Sequence, residues 1–96
     1  MLTGKQKQQL KALGNSIDHR YLFGKGDVDQ AFSKQIDDAL EAHELIKVGL
    51  LQNSSIETKE IGNILSKELN CEIVQLIGRV ILIYRKSKKN PRITLQ

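Results

Sequence analysis

"EIVQLIGRVILIYR", Glu72 to Arg85, is the stretch on which the fold turns. Two runs rich in β-branched and large apolar residues, "EIVQLI" and "VILIYR", flank Gly78-Arg79. A glycine at the first central position suits a two-residue type II′ turn, so the stretch predicts a β-hairpin. Pairing across that turn puts Ile73, Gln75, Ile77, Val80, Leu82 and Tyr84 on one face and Val74, Leu76, Ile81 and Ile83 on the other. Both faces are largely apolar, which predicts a central hairpin covered on both sides.

Working back from the hairpin, helices and strands alternate. In "NSSIETKE", Ser54 with Glu57 three residues on makes a capping-box pattern, and Ile61, Ile64, Leu65 and Leu69 form the apolar stripe of a helix ending near Asn70. "LIKVGLL", Leu45 to Leu51, is a short apolar run of the kind found in buried strands, interrupted by Lys47 and then Gly49. Before it, Val28, Phe32, Ile36, Ala39, Leu40 and His43 recur at spacings of three and four, the stripe of an amphipathic helix running to about Glu44. Its exposed face carries Asp37, Asp38, Glu41 and Glu44. A short strand is expected around Arg20 to Phe23. The first helix runs from Thr3 to about Leu13, with Thr3 and Gln6 as a capping box and Gly14 as a left-handed stop. The order is α-β-α-β-α-β-β. Strands joined through helices should be parallel with right-handed crossovers, and the hairpin is antiparallel. The expected fold class is therefore α/β, a mixed four-stranded sheet packed by helices.

The 96 residues suffice for one domain, read as spanning 1–96 with a basic tail from about residue 86. No apolar run approaches the roughly 20 residues of a membrane span, and "MLTGKQKQQL" has no apolar signal core, so a cytoplasmic protein with no membrane partner is expected. A single cysteine, Cys71, forms no internal disulfide, and two scattered histidines suggest no metal site. Catalysis has few candidates: His43 lies on an apolar stripe, Cys71 opens a buried strand, and Asp37 and Asp38 point in different directions from a helix. No enzyme activity and no cofactor are expected.

Net charge is +4, and it is segregated. Residues 1–25 hold five basic and one acidic side chain, residues 26–78 four and ten, and residues 79–96 six and none. If the fold brings the two ends together, the shared face has the sign of a phosphate binder. Lys5, Lys7 and Lys11 on the first helix, Arg20, Arg79 at the hairpin turn, and Arg85, Lys86, Lys88 and Lys89 beyond it could track a phosphate backbone. "GKG", Gly24 to Gly26, lies between a strand and a helix. Glycines there let main-chain N–H groups approach a phosphate, and Lys25 adds a full charge. The same turn could be merely tight. Aromatic residues are too few for a stacking platform, which favours recognition by shape and phosphate.

Five motifs in order, "LTGKQKQQLKAL", "GKGD", "ALEAHELIKV", "VQLIGRVILIYR" and a short basic tail, make the chain resemble the YhbY-like proteins, the stand-alone bacterial form of the CRM (chloroplast RNA splicing and ribosome maturation) domain. The resemblance covers nearly the whole chain. It implies an RNA-binding domain similar in fold to the C-terminal domain of translation initiation factor 3, with a GxxG loop like the phosphate-clamping loop of KH domains. It also implies partners in large-subunit ribosomal RNA, its precursor, and the ribosomal precursor particle. Gly24, Lys25 and Gly26 match the first three loop positions, and Asp27 stands where the second glycine would be. Asp27, with Gln30 three residues on, reads as the N-cap of the second helix, a carboxylate that would compete with a phosphate for the same N–H groups. The rival reading is a protein-interaction module docking ribosomal or assembly proteins through the acidic face of that helix.

Overall fold

The structure is a computed structural model that describes residues 2–18, 20–24, 29–51 and 57–95. Its elements follow the expected order: α1 (Gly4–Gly14), β1 (Arg20–Phe23), α2 (Gln30–His43), β2 (Leu45–Leu50), α3 (Thr58–Leu69), β3 (Glu72–Ile77) and β4 (Val80–Tyr84). The four strands form one mixed sheet in the order β1-β2-β4-β3. β1 is parallel to β2, and β4 is antiparallel to both of its neighbours.

Strand parity divides the apolar residues between two cores. Ile46, Val48, Leu50, Ile81 and Ile83 meet Ile36, Leu40, Ile61 and Leu65 of α2 and α3 on one side of the sheet. There Phe23 meets Phe32 edge to face, with centroids 5.0 Å apart. On the other side Leu45, Val74, Leu82 and Tyr84 pack against Leu10 of α1, with Ile93 and Leu95 of the tail.

The hairpin turns as expected. Gly78 has φ +56° and Arg79 has no positive φ, the signs of a type II′ turn, and Ile77 lies opposite Val80. Its faces differ from the expectation. The register shifts between Ile73 and Gln75, so Ile73 lies opposite Ile83 and Glu72 opposite Tyr84. A bulge inserts one residue and inverts the parity beyond it. Ile73 therefore packs with the α2–α3 core, and Val74 joins Leu82 and Tyr84 under α1. Nor is the whole hairpin central. β4 is, but β3 is an edge strand that leaves Leu76 41% and Ile77 62% exposed.

Helix ends account for the remaining differences. The Thr3–Gln6 capping box forms, the Gln6 N–H donating to Thr3 Oγ1 (3.1 Å) and the Thr3 N–H to Gln6 Oε1 (2.9 Å). Gly14 is the last residue of α1 rather than a left-handed stop, and a β-carbon there would lie 2.7 Å from Leu82 Cδ2. The glycine serves close approach of helix to sheet. α2 is capped by Asp29 in place of Asp27, its Oδ1 accepting the Phe32 N–H at 2.8 Å. Asp27 and Val28 lie outside the described residues. The N-cap of α3 is Glu57, with no side-chain cap bond, so the Ser54–Glu57 box does not set its start; Ser54 lies outside the described residues.

Candidate nucleic-acid interface

The basic ends of the chain meet. Gln9 Nε2 donates to the Thr94 carbonyl at 2.6 Å, and Leu10, Ile93 and Leu95 share one apolar cluster. This brings α1, which exposes Lys5 and Lys11 and half exposes Lys7, beside a tail that exposes Lys86, Lys88, Lys89 and Arg92. Among the described residues, the ion pairs Lys34–Asp38 and Arg85–Asp37 engage none of these seven cations.

Two carboxylates of α2 hold the tail. Glu44, the C-cap of α2 at φ 67°, is fully buried. Its oxygens accept the main-chain N–H groups of Ser87 (2.8 Å), Arg92 (2.6 Å) and Ile93 (2.7 Å). Burial alone would push this carboxyl up, but those three donors with the Lys86 charge outweigh it and hold it below the usual carboxylate range. Glu41 accepts the Ser87 hydroxyl (2.6 Å) and the N–H groups of Lys88 (3.0 Å) and Lys89 (3.1 Å). Led by the Ser87 bond, these bring its pKa down to about 2. Because the acids bond the main chain, the tail's cationic side chains are left to solvent.

The acidic face of α2 is thus an internal clamp. Asp37 pairs with Arg85 Nη1 at 2.5 Å, and the same guanidinium donates to the carbonyls of Leu69 (3.0 Å) and Asp37 (3.1 Å). Arg85, just past β4, thus ties the end of that strand to the middle of α2 and the C-terminal end of α3. Of the four acids, Asp38 alone has no bond to the tail or to Arg85 among the described residues, and it pairs with Lys34.

A second group lies at the opposite end of the sheet. The Leu50 N–H donates to the Arg79 carbonyl (2.8 Å), the Leu51 N–H to the Phe23 carbonyl (3.1 Å), and Arg79 Nη1 to the Leu51 carbonyl (3.1 Å). Thr58 Oγ1 donates to the Gly78 carbonyl (3.1 Å). The hairpin tip, the start of α3 and Gly24, which follows β1, are therefore neighbours. Lys25, Gly26 and Asp27 lie outside the described residues. Of Arg20 only the main chain is described, in register with Lys47.

Nothing in these groups resembles an acid–base pair. Burial pushes the Cys71 thiol up to about 11, and among the described residues no three His, Cys, Asp or Glu side chains cluster to hold a metal. No helix among those residues is long and apolar enough to cross a membrane.

Comparison with known proteins gives the chain its family. Residues 2–85 match the model of the CRS1/YhbY (CRM) domain. The chain belongs to the CRM domain family. Within it, the chain is 42% identical over 95 residues to the Probable RNA-binding protein YqeI of Bacillus subtilis, covering 99% of both chains. It is 35% identical over 89 residues to an RNA-binding protein of Haemophilus influenzae, covering 92% of this chain and 89% of that one. Among solved structures it is similar to SAV1595 of Staphylococcus aureus, a hypothetical protein described as an RNA-binding candidate. That match has 49% identity, a TM-score of 0.81 and full coverage of both chains. The residues of this CRM domain that sequence reading missed as positioning groups are Glu41 and Glu44. Their partners lie more than 40 positions away, where helical periodicity carries no signal.

Proposed function

We propose that this chain is a non-enzymatic protein that binds structured RNA, in the assembly of the large ribosomal subunit, with its ribosomal RNA or precursor as partner. The observation that carries the reading is the joining of the two basic ends, α1 and the tail, into one surface through Gln9–Thr94 and a shared apolar cluster. Lys5, Lys7, Lys11, Lys86, Lys88, Lys89 and Arg92 contact phosphates along it. We extend the phosphate contacts to Gly24, Lys25 and Gly26 of the loop that follows β1, with Arg79 and Arg20 as further cations, and Asp27 opposes the anion there. Arg85, engaged with Asp37, acts as a positioning residue. The protein-docking alternative loses support, because Asp37, Glu41 and Glu44 are committed to Arg85 and the tail.

Filter-binding titrations of a structured large-subunit RNA fragment at several salt concentrations test the reading. Replacing Lys5, Lys7 and Lys11 by Ala should weaken binding and flatten the plot of log affinity against log salt by about 0.7–0.9 for each phosphate no longer neutralised. Lys25→Ala should free one further phosphate. An unchanged slope in folded protein removes α1 from the footprint. Crosslinking in cells followed by sequencing of the attached RNA identifies the partner, and recovery of no large-subunit sequence rejects the assembly role.

A further inference from the structure

α1 covers only part of its side of the sheet. Along β4, Tyr84 and Leu82 lie in the cluster beneath α1 and the tail, and Val80 lies beyond it, next to the hairpin tip. A trough of about 200 Å³ opens where α1 ends, lined by Gly14, Asn15, Lys47, Gln75, Ile77, Val80 and Leu82. A second hollow of about 350 Å³ shares Asn15 and Lys47 with it and adds Ile17 and Asp18. The floor is aliphatic, the rim carries the amides of Asn15 and Gln75, and among the described residues the one charged side chain lining the trough is Lys47. Gly14 sets the depth of one wall by letting α1 approach Leu82 closely.

We infer that this trough is a binding site for an unpaired nucleobase of the RNA. The inference rests on the RNA-binding reading and extends it from phosphate contacts to a base. Position argues for it: the trough lies between the basic surface of α1 and the tail at one end of β4 and the Arg79 tip at the other. A strand running along this face of the sheet from one to the other passes over it. Charge is consistent with it: Lys47 is the one charge among the described residues lining the trough, with Asp18 in the adjoining hollow, and a lysine facing the trough suits a polyanion better than a basic ribosomal protein. The floor shields one face of a base from water, and side-chain amides offer donor and acceptor together to a base edge. A base in a paired helix cannot enter, so the site selects single-stranded or looped-out nucleotides.

The test compares Lys47→Gln, Gln75→Ala and Ile77→Ser with wild type on two probes, a single-stranded oligonucleotide and a fully paired RNA duplex of equal length. Ile77 is 62% exposed, so its replacement leaves the fold intact. Each variant should lose affinity for the single strand by on the order of ten-fold. Affinity for the duplex should stay within about two-fold, since the phosphate contacts on α1 and the tail are untouched. Amide shifts on adding the single strand should fall on Lys47, Gln75, Ile77 and Val80. Equal losses on both probes would reduce Lys47 to a general phosphate contact and overturn the inference. So would unchanged affinity for the single strand, whether the trough is empty or covered by a second copy, which sedimentation would reveal. If wild type binds neither probe nor the structured fragment, the RNA-binding reading itself fails; binding to RNA with no effect of these variants rejects the trough alone.

Discussion

Glu44 keeps a carboxylate out of water because three main-chain N–H groups replace its hydration, and the same residue holds a left-handed backbone that a β-carbon disfavours. Spacing along α2 placed Glu44 with Asp37 and Glu41, as a helix requires of positions four and seven apart. That they share a face was legible in the sequence; that a segment some 40 residues on returns to cover it was not. Cys71 was the easier reading, since a thiol opening a buried strand has little to react with. It is 4% exposed, its Sγ lies 3.5 Å from the Leu65 carbonyl, and its pKa is pushed up to about 11. At pH 8 the native protein should therefore be alkylated by iodoacetamide far more slowly than the denatured chain, as mass spectrometry of timed samples would show. Comparable rates would mean that the site opens readily.

At the scale of elements, the strongest periodic patterns are the ones that came through. The hairpin, the α2 stripe and the α3 stripe all follow from spacing, because burial of one face writes itself into the local sequence. Boundaries set by single hydrogen bonds are less legible. Asp27 and Asp29 are both acceptable caps, and the chain uses Asp29. The bulge in β3 leaves no local mark, since Ile73 and Val74 are both suited to either core. The tail's docking is set by Glu41 and Glu44 rather than by any periodicity of its own, and its clamp should respond to acid. Glu41 and Glu44 both have depressed pKa values in the folded protein, so their stabilisation is present above the usual carboxylate range and is lost as pH falls through the folded values. For Glu41 that window runs from about 4.5 down to about 2. Amide exchange or NMR shifts of Ser87, Lys88 and Lys89 should report release of the tail across it, whereas those of Ile81 and Ile83 in the central strand should persist further. Tail signals indifferent to pH throughout the window would show that these carboxylates do not hold it.

The whole molecule has two apolar cores on one sheet, and the charge segregation visible in the sequence becomes a surface only because the second core joins α1 to the tail. Its sheet order has a consequence for how the chain acquires structure. β4, the last strand in sequence, lies between β2 and β3, so neither of those has an antiparallel neighbour until it arrives. The β3–β4 hairpin closes over a two-residue turn, an event of about 1–10 μs in isolation, whereas pairing β1 with β2 requires the whole α2 crossover to be ordered. The hairpin therefore docks as a unit, and a chain cut after Gly78 has a parallel pair with nothing to seal it. Such a fragment should lack a cooperative urea transition and bind structured RNA with no dependence on Lys5, Lys7 or Lys11. A sigmoidal transition in the fragment would show that β1, β2 and the helices fold without their central strand. The surface that α1 and the tail build together therefore matures only when β4 is in place, so RNA capture follows completion of the sheet.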